Sequence, residues 1–149
     1  MRIIFDVSPL SHPRTGVGNY IRGSLAGLVE VAGSRHEIVA FAPTSPAGKR
    51  AIPLALAGIP VEQKLTVLPF AHPWRMAWSR VGRPALERVL GRFDVLHFSD
   101  WMFPPQRDGV RATTIHDLVP LRFPQWTTPR TRSMHGAKYR NAARTCDVI

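Results

Sequence analysis

The sequence predicts an α/β fold: a doubly wound, mostly parallel sheet with helices on both faces. Short apolar, β-branched runs alternate along the chain with segments whose apolar residues recur at helical spacing. The runs are continuous rather than alternating with polar residues, as strands buried on both faces are. The length of 149 residues, 44% hydrophobic and 20% charged, suits one globular domain with its own core.

The elements follow in order. Residues 2–7 (RIIFDV) form a first strand, and residues 8–15, with Pro9, Ser11 and Pro13, a loop. Tyr20, Ile21, Leu25, Leu28, Val29 and Ala32 share one helical face, so a helix occupies 16–32, starts near Gly18 and stops at Gly33. Residues 36–42 form a second strand closed by Pro43. The Ala/Pro/Gly-rich stretch 43–60 reads as loop with a short helix near 52–57. Residues 65–68 (LTVL) make a third strand, and 72–91 a helix in two pieces with Pro84 in the first turn of the second. Residues 93–98 (FDVLHF) and 111–116 make the fourth and fifth strands, 128–145 a helix, and Asp147 opens a sixth strand. The chain stops three residues into that strand, so it is expected to be a piece of a longer protein.

No apolar run approaches the roughly 20 residues that span a bilayer. MRIIFDV has one basic residue and only a short apolar run before Asp6, so no signal peptide is expected. The single cysteine, Cys146, excludes an internal disulfide and a cysteine metal cluster. Together these point to a cytoplasmic protein. The net charge of +10, carried mostly by arginine, attracts phosphates, nucleic acid or an anionic membrane.

Ligands of open α/β sheets bind beyond the carboxyl ends of the strands. Four loops leave those ends here, at 8–18, 69–74, 99–106 and 117–124. In PRTGVGNY, Gly16 and Gly18 sit before a helix, where backbone N–H groups and the positive helix end favour an anion. A dinucleotide G-x-G-x-x-G fits badly: no third glycine comes until Gly23, and the second strand ends on Phe41, Ala42 and Pro43 with no acid for a ribose. A plain flexible loop and helix start is the alternative. In FDVLHFSDWMFPP, His97 lies inside the strand and reads as a core histidine. Ser99, Asp100 and Trp101 stand at the mouth, where an aromatic beside hydroxyl and carboxylate suits a sugar ring; a packed loop is the alternative. In TTIHDLVP, His116 reaches the sheet rim as a neutral hydrogen-bonding imidazole, and Asp117 either holds its tautomer or caps the next turn.

Taken together, these residues resemble the N-terminal domain of family 4 glycosyltransferases, which have the GT-B fold. The resemblance rests on Thr15-Gly16-Val17-Gly18-Asn19-Tyr20 opening the first helix, on the strand-loop Asp94 to Ser99, on Thr114 to Pro120, and on Asn141 to Ile149. It spans essentially the whole chain. It implies a Rossmann-like domain, residues 1–149, as the N-terminal half of a GT-B fold whose C-terminal donor-binding domain is absent. It implies a retaining enzyme of polysaccharide biosynthesis that moves a hexose from a nucleotide-sugar donor to a glycan or lipid-linked acceptor, with no metal and no cofactor. By carry-over, Gly16, Val17 and Gly18 would approach the donor phosphates. His116 and Asp117 would be the catalytic pair at the transferred hexose, and Asn19, Tyr20, Ser99 and Trp101 would line the acceptor side. The groups that stabilise the leaving diphosphate would lie in the absent domain, so the isolated chain is expected not to catalyse. The runner-up is a non-catalytic phosphate- or nucleotide-binding module of the same fold.

Two segments concentrate charge. Residues 72–92 carry five arginines with Trp74 and Trp78 against one acid, Glu87. Residues 122–144 carry Arg122, Arg130, Arg132, Lys138, Arg140 and Arg144 with no acid. These suit peripheral contact with an anionic membrane at its inner face, or an acidic acceptor; a solvated face, or one covered by another domain, is the alternative. No nucleic-acid motif appears and the aromatics form no stacking platform, so no specific nucleic acid is expected.

Overall fold

The structure is a computed structural model and describes residues 1–13, 15–99 and 103–149. Its centre is a five-stranded parallel sheet in the order β3-β2-β1-β4-β5, with β1 at Arg2–Asp6, β2 at Glu37–Thr44, β3 at Glu62–Val67, β4 at Val95–Phe98 and β5 at Val110–Thr113. Val148 bridges Ala112 in parallel on the outer side of β5, where the expected sixth strand begins. This is a Rossmann-like order, in which the sequence runs outward from β1 in one direction and then from β4 in the other.

Side chains alternate across the sheet, so β1 feeds both cores. Ile3 and Phe5 pack with Ile38, Ala40 and Ala42 under Ile21 and Leu25 of α1 (Gly16–Ala32) and Ile52 of α2 (Pro46–Ala55). Ile4, Val39 and Phe41 face the other way, against Trp78 of α3 (Ala71–Val81), Leu90 of α4 (Glu87–Leu90), Leu96 and Phe98. The remaining helices are α5 (Val119–Arg122) and α6 (Pro129–Thr145), joined by a 3-10 turn at Pro124–Trp126. Among the described residues, no helix is long and apolar enough to cross a membrane.

Several elements differ from the sequence reading, each for a physical reason. Pro43 does not close β2, which runs on to Thr44. Val7 N donates to Phe41 O, so Phe41 and, two residues on, Pro43 face the β1 side; β1 has ended there and no ladder donor is required of Pro43. The stretch read as loop with a short helix near 52–57 holds a longer helix that starts earlier, α2, because Ser45 Oγ caps Gly48 N at 3.1 Å and Ile52 is fully buried. Gly48 is what lets that helix lie down: a Cβ there would fall 2.0 Å from Thr44 Oγ1 and 2.7 Å from Ser11 Cβ. Pro84 is not in a helical first turn. It follows α3 through a cis Arg83–Pro84 bond, and its carbonyl accepts Trp78 Nε1 at 2.6 Å. β3 begins at Glu62, earlier than expected, because it is an edge strand with polar, exposed positions. β5 stops at Thr113, three residues short of His116, for a reason that belongs to the site below.

Candidate functional site

The strand order reverses between β1 and β4, so their onward loops diverge and leave a crevice at the carboxyl ends. Three stretches far apart in sequence meet there. Tyr20, one turn into α1, places its hydroxyl 2.7 Å from Thr114 Oγ1, and His97 Nε2 of β4 lies 3.0 Å from the same oxygen. His116 packs edge-on against Tyr20, with ring centroids 4.9 Å apart at 80°. His97 in turn stacks on Phe5 of β1, with centroids 4.4 Å apart.

Lys138 explains why β5 ends where it does. It comes from α6 and is only 5% exposed, yet its ammonium donates to Ser99 O at 2.5 Å and Thr114 O at 2.8 Å. Thr114 O is thereby turned to a side chain instead of a neighbouring strand. The same charge acts on the imidazoles. His97 is pushed from 6.5 down to about 4, first by burial and then by Lys138 and His116. His116 is also lowered, first by burial and then by Lys138 and His135, with Asp117 opposing. Both rings are therefore neutral near pH 7 and act as hydrogen-bonding groups, not cations.

The remaining candidates are distributed unevenly. Asp117 Oδ1 accepts Val119 N at 2.9 Å, which caps the turn into α5, and its carbonyl accepts Tyr139 Oη at 3.0 Å. Ser99 is almost fully buried, and its Oγ has no hydrogen-bond partner among the described residues. Trp101, like Asp100 beside it, lies outside the described residues. Thr15 caps α1, its Oγ1 accepting Gly18 N at 3.1 Å and its carbonyl accepting Asn19 N at 2.9 Å. Gly18 N–H is thus already engaged, and the N–H groups at the first two helical positions, Gly16 and Val17, are those without an intrahelical acceptor. Gly18 and Asn19 instead face a separate cleft of about 620 Å³ between α1 and α2, shared with Leu10, His12, Arg22 and Leu54. Neither Tyr20 nor His116 lines it.

Sequence reasoning missed three residues of the crevice, His97, Thr114 and Lys138, and a buried acid at the end of β1. His97 reads as a core histidine from its place between Leu96 and Phe98, but its ring is half-buried and its Nδ1 has no hydrogen-bond partner among the described residues. Thr114 enters only as the first residue of the Thr114 to Pro120 match and Lys138 only as part of a basic face, although Lys138 lies four residues before the buried Ala142, so helical spacing alone places it inward. Asp6 closes β1 fully buried, its Oδ1 accepting Ser8 N at 2.9 Å and also Ser8 Oγ, while its Oδ2 stands 4.0 Å from Arg75 Nη2 of α3. This buried pair ties α3 to the end of β1.

No family model, no curated protein and no solved structure matches this chain.

Proposed function

We propose that the carboxyl end of this sheet binds a sugar or sugar phosphate. In this reading the chain is the acceptor-side half, with a GT-B fold, of a retaining glycosyltransferase that moves a hexose from a nucleotide sugar to a glycan or lipid-linked acceptor. The observation that carries the reading is the Tyr20–Thr114–His97 hydrogen-bonded chain with His116 edge-on beside it, at the crevice where the strand order reverses. Hydroxyl and neutral imidazole groups both donate and accept, as a polyhydroxylated ligand requires. The N–H groups of Gly16 and Val17 stand one turn before Tyr20, a rise of roughly 6 Å, which matches a phosphate placed beside a hexose ring. The resemblance to family 4 glycosyltransferases names the same segments.

In that role His116 accepts a hydrogen bond from a hexose hydroxyl, and Asp117 sets the turn that presents it. The bond from the anomeric carbon to the diphosphate breaks, a bond to the acceptor oxygen forms, and the acceptor's hydroxyl proton passes to the departing diphosphate, whose remaining charge needs basic partners. The resemblance places those in a second domain, and the 149-residue chain by itself binds without turnover.

The test is a titration of the chain with hexoses, hexose phosphates, nucleotide hexoses and inorganic phosphate, followed by amide chemical shifts. At least one sugar-bearing ligand is expected to bind at Tyr20, Thr114 and His116, and His116→Ala and Tyr20→Phe, folded by circular dichroism, are expected to weaken it about tenfold or more. Binding of phosphate or nucleotide with no added effect of the sugar would favour a phosphate-binding module. No binding at these residues would end the proposal, and product formation by the chain alone would overturn the claim of inactivity.

A further inference from the structure

The amino end of the sheet, opposite the crevice, carries its own concentration of charge. α3 follows the carboxyl end of β3 and runs back along the sheet, so the turn after it, the short α4 before β4 and the segment before β5 all meet at that amino end. Their charges sort by sign. Glu87, Asp94, Asp108 and Asp147 line one pocket with Arg2 and Arg92. Arg83, Arg88 and Arg107 line another, of about 260 Å³, together with Pro84 and the buried Ala85. Among the described residues no acid lines this second pocket.

The three arginines stand on a fixed frame. Trp78 Nε1 donates to Pro84 O at 2.6 Å, and Leu86 N to Pro105 O at 2.8 Å. Glu87 is the acid nearest in sequence, but its Oε1 accepts Arg107 N at 2.7 Å and Asp108 N at 3.0 Å, and its Oε2 has no hydrogen-bond partner among the described residues. It ties the segment before β5 to α4 and bonds no guanidinium. Among the described residues, none of the three guanidinium groups has a hydrogen-bond or ion-pair partner. Arg2, Arg22, Arg111 and Arg132, in contrast, all donate to oxygens of the chain itself. Three like charges around one pocket repel one another, and an anion between them turns that repulsion into attraction. Guanidinium groups fit phosphoryl oxygens with paired, parallel N–H donors. The pocket's volume is that of roughly eight waters in the liquid, more than one phosphoryl group fills. A single phosphoryl group brings about two negative charges at most, and two linked ones come nearer to balancing three arginines.

We infer that the pocket of Arg83, Arg88 and Arg107 binds a diphosphate group, free or carried on a small molecule. The four residues of β4, about 13 Å of strand, separate it from the crevice, so it is a second site and owes nothing to the sugar reading.

The experiment is a calorimetric titration of the chain with inorganic pyrophosphate, inorganic phosphate and adenosine diphosphate at about 0.1 M salt, with amide chemical shifts to locate each ligand. Pyrophosphate is expected to bind about tenfold or more tighter than phosphate and to move the amides of residues 85–88 and 106–108. Arg88→Gln/Arg107→Gln is expected to weaken it about tenfold or more. Arg50→Gln/Arg144→Gln removes the same charge elsewhere and is expected to leave it unchanged. All four arginines are exposed, so folding is retained, as circular dichroism will check. Adenosine diphosphate distinguishes the source: binding at the same amides means the diphosphate is taken on an organic group, and its exclusion leaves the free ion as the ligand. Four results overturn the inference. Pyrophosphate fails to bind. The two double variants weaken it equally, which leaves only the net charge. Its shifts fall at Gly16 to Tyr20 and not at residues 85–88, which assigns the anion to the crevice. Duplex DNA binds and pyrophosphate does not displace it, which assigns the arginines to nucleic acid. Shifts at Tyr20, Thr114 and His116 report the sugar reading, so the two proposals fail separately.

Discussion

Acidification should destabilise the fold through His97, and the magnitude follows from the site. Its folded pKa of about 4 lies below the ordinary 6.5, because burial and Lys138 disfavour the imidazolium. Between those values the unfolded chain takes up a proton that the folded chain refuses. Stability is therefore intact above the upper value, falls as pH drops through the window, and levels off below about 4. Going from about pH 7 to about pH 5, this group alone costs roughly 2 kcal/mol, and the whole displacement is worth roughly 3 kcal/mol. The lowered pKa of His116 adds in the same direction. Urea denaturation at several pH values measures the loss. His97→Gln keeps a hydrogen-bond donor for Thr114 but does not titrate, so the variant should lose most of the slope between about pH 7 and 5. Equal loss in wild type and variant would refute the reasoning, because the acid sensitivity would then sit elsewhere.

Two further substitutions probe the frame around that site. Lys138→Met removes the donor from the Ser99 and Thr114 carbonyls and the charge beside two imidazoles. It should cost about 2 kcal/mol and raise the pKa of both His97 and His116 in histidine NMR titrations; unmoved imidazoles would show that Lys138 does not set them. Gly48→Ala drives a methyl group into Thr44 and Ser11, which are anchored at the end of β2 and in the turn after β1. It should lower Tm by roughly 4–8 °C, for a cost of about 2 kcal/mol, and a thermal melt that does not shift would mean α2 sits less closely than described.

The sheet was legible because its strands are buried on both faces. RIIFD, EIVAFA and VLHF are apolar without alternation, and that pattern belongs to parallel strands. The edge of the sheet was less legible. β3, EQKLTV, has a half-exposed and polar first half, so only its apolar tail read as strand. α2 was hidden by its composition: Pro46, Gly48 and Pro53 are each poor helix formers, and the helix stands on the Ser45 cap and the burial of Ile52. At the site, the helix opening at Thr15 to Tyr20 and the TTIHDLVP turn were legible as places. Which side chains meet there was not, because Lys138 and Thr114 interact through a tertiary contact no local pattern encodes. Periodicity offered one clue, since a lysine on the buried stripe of α6 needs buried acceptors, and the ends of β4 and β5 supply them.

The hydrogen-bond chain in the crevice also has a direction at its His97 end. His97 is neutral near pH 7, so one ring nitrogen carries the proton and the other accepts. Nδ1 is buried without a partner among the described residues, while Nε2 faces Thr114 Oγ1. A proton on Nδ1 would leave a buried donor unmet, the costlier arrangement, whereas an unmet acceptor is tolerated more often. The proton therefore belongs on Nε2. Thr114 Oγ1 then accepts from His97, and it still has one proton to give and a second lone pair to accept with, so toward Tyr20 it works either way. Where Thr114 donates, Tyr20 turns its O–H outward and suits an acceptor such as a phosphate oxygen; where Tyr20 donates, it presents lone pairs and suits a donor. A sugar hydroxyl meets both arrangements, and an inorganic phosphate dianion only the first. Nitrogen-15 shifts of the His97 ring read the tautomer directly: a protonated Nδ1 would take the one proton of Thr114 for Nε2 and make Tyr20 the donor to Thr114. The loss of affinity expected for Tyr20→Phe in the sugar titration is the loss of that hydroxyl from the crevice.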